Sequence, residues 1–109
     1  VCSSDLEGYT GKKGDVNENL EIRDCWGAIY GNGGYTKSHH HHPAAFSAVI
    51  YLECDDNASP IIFGFDSKFP ARQNYLYIFP GHMQHEVPEN SGKRIVMAIN
   101  MYLKGTLPA

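Results

Sequence analysis

The sequence has no apolar run approaching the length of about 18 residues that a membrane-crossing helix needs, so neither a transmembrane helix nor a membrane partner is expected. It has no stripe of Lys and Arg. Nine basic against 12 acidic residues leave a formal charge of −3, which gives a phosphate backbone nothing to hold, and nucleic acid is not expected as a partner. It has no CxxC pair. Cys2, Cys25 and Cys54 are odd in number and far apart, which excludes a cysteine zinc site and points to three free thiols in a reducing cytosol. It has no charged n-region or apolar h-region at its start, so no leader is expected there and the expected location is cytoplasmic. Nowhere does it carry a strong helical period; one helical turn over Glu18–Arg23 is the most that is expected.

The chain also begins with Val1 rather than Met. The run Val1-Cys2-Ser3-Ser4-Asp5-Leu6 looks like translated adapter read-through of the kind found in metagenomic sequences. Residues 1–6 are therefore read as artefactual, and the chain as a fragment lacking upstream elements. Nothing is built on Cys2.

What is there is a short chain of 109 residues, 42% hydrophobic, enough for one domain with one core. Residues 1–19 read as an N-terminal loop region, Gly-rich and polar over 7–19, and 20–109 as an all-β domain. Cys25–Tyr30 is apolar and aromatic and stops at the turn cluster Gly31-Asn32-Gly33-Gly34. Tyr35–His42 is polar and extended, closed by Pro43. Phe46–Glu53 has the strongest strand composition. Ile61–Phe65, Tyr75–Phe79, a short piece His85–Val87 and the long Arg94–Leu103 follow, with a loop over Asp66–Asn74. About seven strands with turn signals at a spacing of roughly 8–12 residues describe a sandwich or barrel.

The histidines carry the chemistry. An affinity tag does not fit His39-His40-His41-His42, because the run is internal and leads straight into a strand; a solvated polar loop is the plain alternative. Neutral imidazole is the commonest side-chain metal ligand, and in an extended segment residues i and i+2 face the same way. Either His39 with His41 or His40 with His42 can thus aim at one point. A third ligand must come from elsewhere. His85 opens an extended piece and is the better candidate; His82, three residues earlier, falls at the turn after Phe79-Pro80-Gly81 and is read as a surface or supporting residue. Three ligands on one side leave positions open for water, oxygen or substrate. Nine residues beyond His85, Arg94 opens the last strand, where a guanidinium can grip a carboxylate with two hydrogen bonds.

Taken in order, Cys25-Trp26, Gly34-Tyr35, His39-x-His41, Pro43, Phe46–Leu52, Ser59–Phe63, Phe79-Pro80-Gly81-His82-Met83-Gln84-His85-x-Val87-Pro88 and Arg94-Ile95-Val96 with Asn100 resemble the 2-oxoglutarate/Fe(II) oxygenases common in phage and marine bacteria. The resemblance covers about residues 24–103. It implies a double-stranded β-helix of the jelly-roll or cupin-like kind, with the metal in the mouth of a squashed barrel. It implies His39, His41 and His85 as ligands of Fe(II), and Arg94 as the group that binds the far carboxylate of the co-substrate 2-oxoglutarate. Tyr51 and Asn100, on flanking strands, are implied as pocket residues. The activity implied is hydroxylation of a small molecule or peptide, in a phage-encoded case within the host cytoplasm; the sequence names neither prime substrate nor oligomeric state.

One departure stands out. Better-characterised members of the superfamily place a carboxylate where this chain has His41. Three neutral ligands leave the full charge of the metal, and such sites also suit zinc. Asp55, Asp56 and Glu86 are the nearest acidic residues in sequence and none has suitable spacing. A cupin-like metal-binding module without oxygenase activity is therefore the alternative function. A phage structural or assembly domain that keeps the barrel but not the chemistry is a third.

Overall fold

A computed structural model describes residues 19–105. Residues 1–18, with Cys2 and the presumed read-through, lie outside the described residues. Eight strands follow one another: β1 Leu20–Tyr30, β2 Thr36–His39, β3 Phe46–Cys54, β4 Ile61–Phe63, β5 Ser67–Phe69, β6 Leu76–Pro80, β7 His85–Val87 and β8 Arg94–Leu103. They form two four-stranded antiparallel sheets, in the orders β1-β8-β3-β6 and β2-β7-β4-β5. The architecture is all-β, as the strand spacing implies, and of the double-sheet jelly-roll type that the resemblance implies.

The long strands form where β-branched and aromatic residues concentrate. In β3 and β8, alternate residues turn one face inward, and Val49, Tyr51 and Val96 meet Ile61 from the opposite sheet and Phe79 from β6 in one core.

Two elements differ from the sequence expectation. Leu20–Arg23 is strand rather than a helical turn, because β1 pairs with β8 over its whole length, from Leu20 opposite Leu103 to Tyr30 opposite Arg94. The partners of these first residues, from Leu20 opposite Leu103 to Ile22 opposite Met101, are far away in sequence and leave no local pattern. β5 falls where a loop was expected. Gly64, at φ 63°, folds the chain back so that Ser67–Phe69 pairs with β4, which ends at Phe63 rather than Phe65. β5 is short, exposed and lies at a sheet edge, so it buries nothing that a hydrophobic period would reveal.

The cysteine expectation holds at Cys54, a free thiol, and fails at Cys25, which is disulfide-bonded. Among the described residues no helix is long and apolar enough to cross a membrane.

Two loops set the register of the histidines. Gly81, in the β6–β7 turn, donates its N–H to Ala45 O at 3.1 Å, and its carbonyl accepts from His41 N–H at 2.8 Å. A Cβ on Gly81 would run into the carbonyl of Ala44. Gly81→Ala must therefore push the segment that carries His41 away from the strand that carries His85. The expected result is a loss of about 2–4 kcal/mol in denaturant unfolding together with weakened metal binding; unchanged stability would show that the turn has room to relax.

Candidate metal centre

His39 is the last residue of β2 and stands directly opposite His85, the first residue of β7. Directly opposed side chains in an antiparallel pair are close neighbours, and the two rings lie 4.2 Å apart between centroids. His41 lies two residues on, past the last paired residue of β2, and is held by its bond to Gly81. Its ring is 4.8 Å from that of His39 and 5.1 Å from that of His85. One nitrogen from each ring lies within 4.8 Å of the others. Nitrogens at about 2.1 Å from a single ion sit roughly 3–3.5 Å apart, so the cluster closes by less than about 2 Å on loading. His39 and His41 are half-buried, whereas His85 is 7% exposed.

Of the two pairs that strand alternation allows, the structure brings together His39 and His41. His40 and His42 are exposed, with rings 6.5 Å apart, and the His42 N–H donates to His40 Nδ1. His82 is exposed in the turn, apart from the cluster.

Second contacts fix two of the three rings. His39 Nδ1 lies 2.7 Å from Lys37 O, and His85 Nδ1 lies 3.1 Å from Met83 O. A carbonyl only accepts, so each Nδ1 carries the proton and each Nε2 keeps its lone pair free. Burial first, then the neighbouring imidazoles, push the His85 pKa down to about 4, against the raising effect of the Met83 carbonyl. Burial and His39 also lower His41. Burial thus favours the neutral form of His41 and His85, the form in which an imidazole can bind a metal.

A pH dependence follows with a definite sign. His85 binds a proton near 6.5 when unfolded and near 4 when folded, so its contribution to the stability of the metal-free chain is complete above about pH 6.5. It is lost as pH falls toward 4, by on the order of 2–3 kcal/mol. Urea unfolding at pH 7.5, 6 and 5 checks this, because most carboxylates titrate lower; a flat profile contradicts a buried neutral His85.

Arg94, the first residue of β8, is 1% exposed. Its Nε donates to Ser59 O at 2.9 Å and its Nη2 to the Tyr51 hydroxyl at 3.3 Å. The guanidinium lies over the rings of Tyr30, at 4.5 Å, and Tyr51, at 5.2 Å. Among the described residues no carboxylate comes within ion-pair distance of it. A buried cation without a counter-charge is costly, and the two ring faces offset only part of the cost. Arg94 and Asn100 face the same side of β8, six residues apart, and Asn100 adjoins His41. The histidines and the guanidinium therefore sit toward opposite ends of one cavity of about 250 Å³, whose walls include Val49, Ile61, Phe79 and Val96.

Tyr51 and Asn100 take different places. Tyr51 is fully buried and lies outside the cavity lining, behind Arg94; burial pushes its phenol well up, so the hydroxyl stays protonated. Asn100 lines the cavity, accepting from Ser47 Oγ at 2.7 Å. Sequence reasoning missed Tyr30, which stacks on Arg94 and shares a hydrogen bond with Thr36. It also missed a role for Trp26, 41% exposed with its ring 6.0 Å from that of His41, and it missed Asp24, whose carboxylate accepts from Asn100. All three lie on the same face of β1, where Trp26 and Tyr30 line the cavity. Starting the strand at Cys25 hid Asp24, and nothing local says which face of β1 turns inward.

No protein-family model matches the sequence, and no curated protein is similar to it. Solved structures are. A 2OG-Fe(II) oxygenase family protein from Burkholderia pseudomallei superposes with TM-score 0.70 at 14% identity, over 88% of this chain and 58% of its own. A prolyl-4-hydroxylase from Pseudomonas putida does so with TM-score 0.65 at 22% identity, over 83% of this chain and 55% of its own. An RmlC-like cupin from Desulfovibrio desulfuricans gives TM-score 0.57 at 17% identity, over 76% and 73%. The chain thus spans a little over half the length of the two oxygenases it resembles. At these identities the likeness is one of fold: the chain has the double-sheet fold found in both cupins and 2OG-Fe(II) oxygenases.

Proposed function

We propose that this chain is the double-stranded β-helix domain of a 2-oxoglutarate- and Fe(II)-dependent oxygenase. The observation that carries the reading is one cavity with three converging imidazoles toward one end and, toward the other, a buried guanidinium with no carboxylate partner among the described residues. A ligand that satisfies both ends is a metal chelator with a free carboxylate, and a 2-oxo dicarboxylic acid is such a molecule.

The donor set fits a divalent first-row ion. His39 and His85 present Nε2 lone pairs, and the three rings stand on one side of the site, leaving other positions open. Bound Fe(II) would supply the oxidative chemistry, in which dioxygen gives one oxygen atom to 2-oxoglutarate, released as succinate and carbon dioxide, and the other to a C–H bond of the substrate. The remaining work belongs to side chains. Arg94, backed by Tyr30 and Tyr51, fixes the far carboxylate and so sets how the oxo-acid end meets the ligands. Val49, Ile61, Phe79 and Val96 keep water from the space between. No side chain needs to act as general acid or base.

The test is succinate and carbon dioxide release from 2-oxoglutarate on adding Fe(II) under air, with a metal-free control. Iron-dependent release supports the oxygenase. One specific feature favours the alternative, a cupin-like metal-binding module: His41 stands where better-characterised enzymes carry a carboxylate. Tight zinc binding with no succinate at any iron concentration is the result that decides for it.

A further inference from the structure

The three imidazoles are not supported alike. The Nδ1 atoms of His39 and His85 each face a main-chain carbonyl, whereas His41 Nδ1 faces the side-chain amide nitrogen of Asn100 at 3.4 Å. That amide is fixed at both ends. Its oxygen accepts from Ser47 Oγ at 2.7 Å, and its nitrogen donates to Asp24 Oδ2 at 3.3 Å. An ionised carboxylate only accepts, so Asp24 decides which end of Asn100 is nitrogen. Asp24 stands opposite Asn100 in the β1–β8 pairing, and Tyr102, two residues further along β8, donates its hydroxyl to the same Oδ2 at 3.1 Å. Among the described residues no cation lies within ion-pair distance of this carboxylate. Its charge is felt at His41, where it opposes the effect of burial.

We infer that Asp24 is a positioning residue of the metal centre, acting on His41 through Asn100. It stands in for the carboxylate that the ligand set lacks. The inference rests on the metal reading given above. In the geometry described, the Asn100 N–H points at His41 Nδ1, which leaves the proton of the neutral ring on Nε2. For Nε2 to serve as a ligand atom, the proton must sit on Nδ1. The Asp24 carboxylate, bonded to the same amide nitrogen, draws that N–H toward itself and so frees His41 Nδ1 to carry the proton, an outer support of the kind that orients metal-binding imidazoles. It also places one negative charge beside three neutral donors. Asp24 lies outside the His39-His41-His85 cluster itself, so its effect is on the ring and the field rather than through a bond to the ion.

The experiment is a Co(II) titration of the wild-type chain, Asp24→Asn and Asp24→Glu, read by visible absorption and by competition with a chelator. Each metal-free protein is melted in parallel, and ring-nitrogen NMR is recorded on a Zn(II)-loaded sample. Asp24→Asn is expected to weaken Co(II) binding by about 10–100-fold while the metal-free melting temperature stays within a degree or two, because Asp24 is exposed. Asp24→Glu is expected to recover part of the loss, and NMR of the wild type to show His41 protonated at Nδ1. Wild-type binding matched by Asp24→Asn, with the same absorption spectrum, overturns the role of Asp24 and leaves the metal centre standing. A melting shift in Asp24→Asn with undiminished affinity likewise reduces Asp24 to a structural residue. A wild-type chain that takes up no Co(II) overturns the metal reading and this inference together.

Discussion

Replacing His85 with alanine is expected to abolish metal uptake. His85 is the most buried of the three imidazoles and the one whose orientation is best fixed, by the Met83 carbonyl on one side and the rings of Phe79 and Phe63 on the other, at 4.9 and 6.3 Å between centroids. It is also the only one contributed by β7. Removing it leaves two ligands on a single segment, and a loss of three orders of magnitude in affinity, about 4 kcal/mol, is the expected scale. The histidine nearest in sequence is the natural control. His82→Ala, three residues away and exposed in the turn, is expected to bind metal as the wild type does. Isothermal titration with Zn(II) checks both. Equal losses in the two variants contradict the register of the β6–β7 turn. Since His85 is also a packing residue, His85→Asn, closer in volume, should be measured beside it: metal binding lost in a folded chain separates ligation from folding.

Replacing Arg94 with alanine or methionine is expected to weaken 2-oxoglutarate binding by about 100-fold, close to 3 kcal/mol, as expected when a buried charge-assisted contact is lost. Metal affinity should be unchanged, because the guanidinium lies toward the other end of the cavity. The two variants should differ in stability. Both strip the buried Ser59 carbonyl of its donor; alanine also leaves a void and should cost about 2–4 kcal/mol. Methionine fills the space and removes a buried cation that has no carboxylate partner among the described residues, so it should cost less than alanine. Calorimetric titration of 2-oxoglutarate into the Zn(II)-loaded proteins gives the answer. Undiminished affinity in Arg94→Met removes Arg94 from the site.

Much of this architecture was legible because its signals are local. Phe46–Cys54 and Arg94–Leu103 announce themselves by composition, the Gly31–Gly34 cluster by its glycines, and a pair of histidines two residues apart by the period of extended chain, though His39 with His41 rather than His40 with His42 needed the resemblance. The pairing of His39 with His85 needed the resemblance, since nothing in sequence says that β2 and β7 are neighbours. What stayed hidden depends on distant partners. The first residues of β1 are strand because β8 lies beside them. β5 is strand because a glycine turn lays it along β4. Asp24 adjoins the site only because Asn100, 76 residues later, faces it across the β1–β8 pair. Tyr51 was expected in the pocket wall; its strand face is the right one, but the bulk of Arg94 stands between it and the cavity.

Every functional step above depends on one ion held by three particular imidazoles out of six. The most direct measurement is metal content after equilibrium dialysis against buffered Zn(II), for the wild type and for six variants in which each histidine in turn becomes alanine. One equivalent in the wild type is expected, lost in His39→Ala, His41→Ala and His85→Ala, and retained in His40→Ala, His42→Ala and His82→Ala. A wild type that binds no metal, or losses that follow His40 and His42 instead, would contradict the centre described.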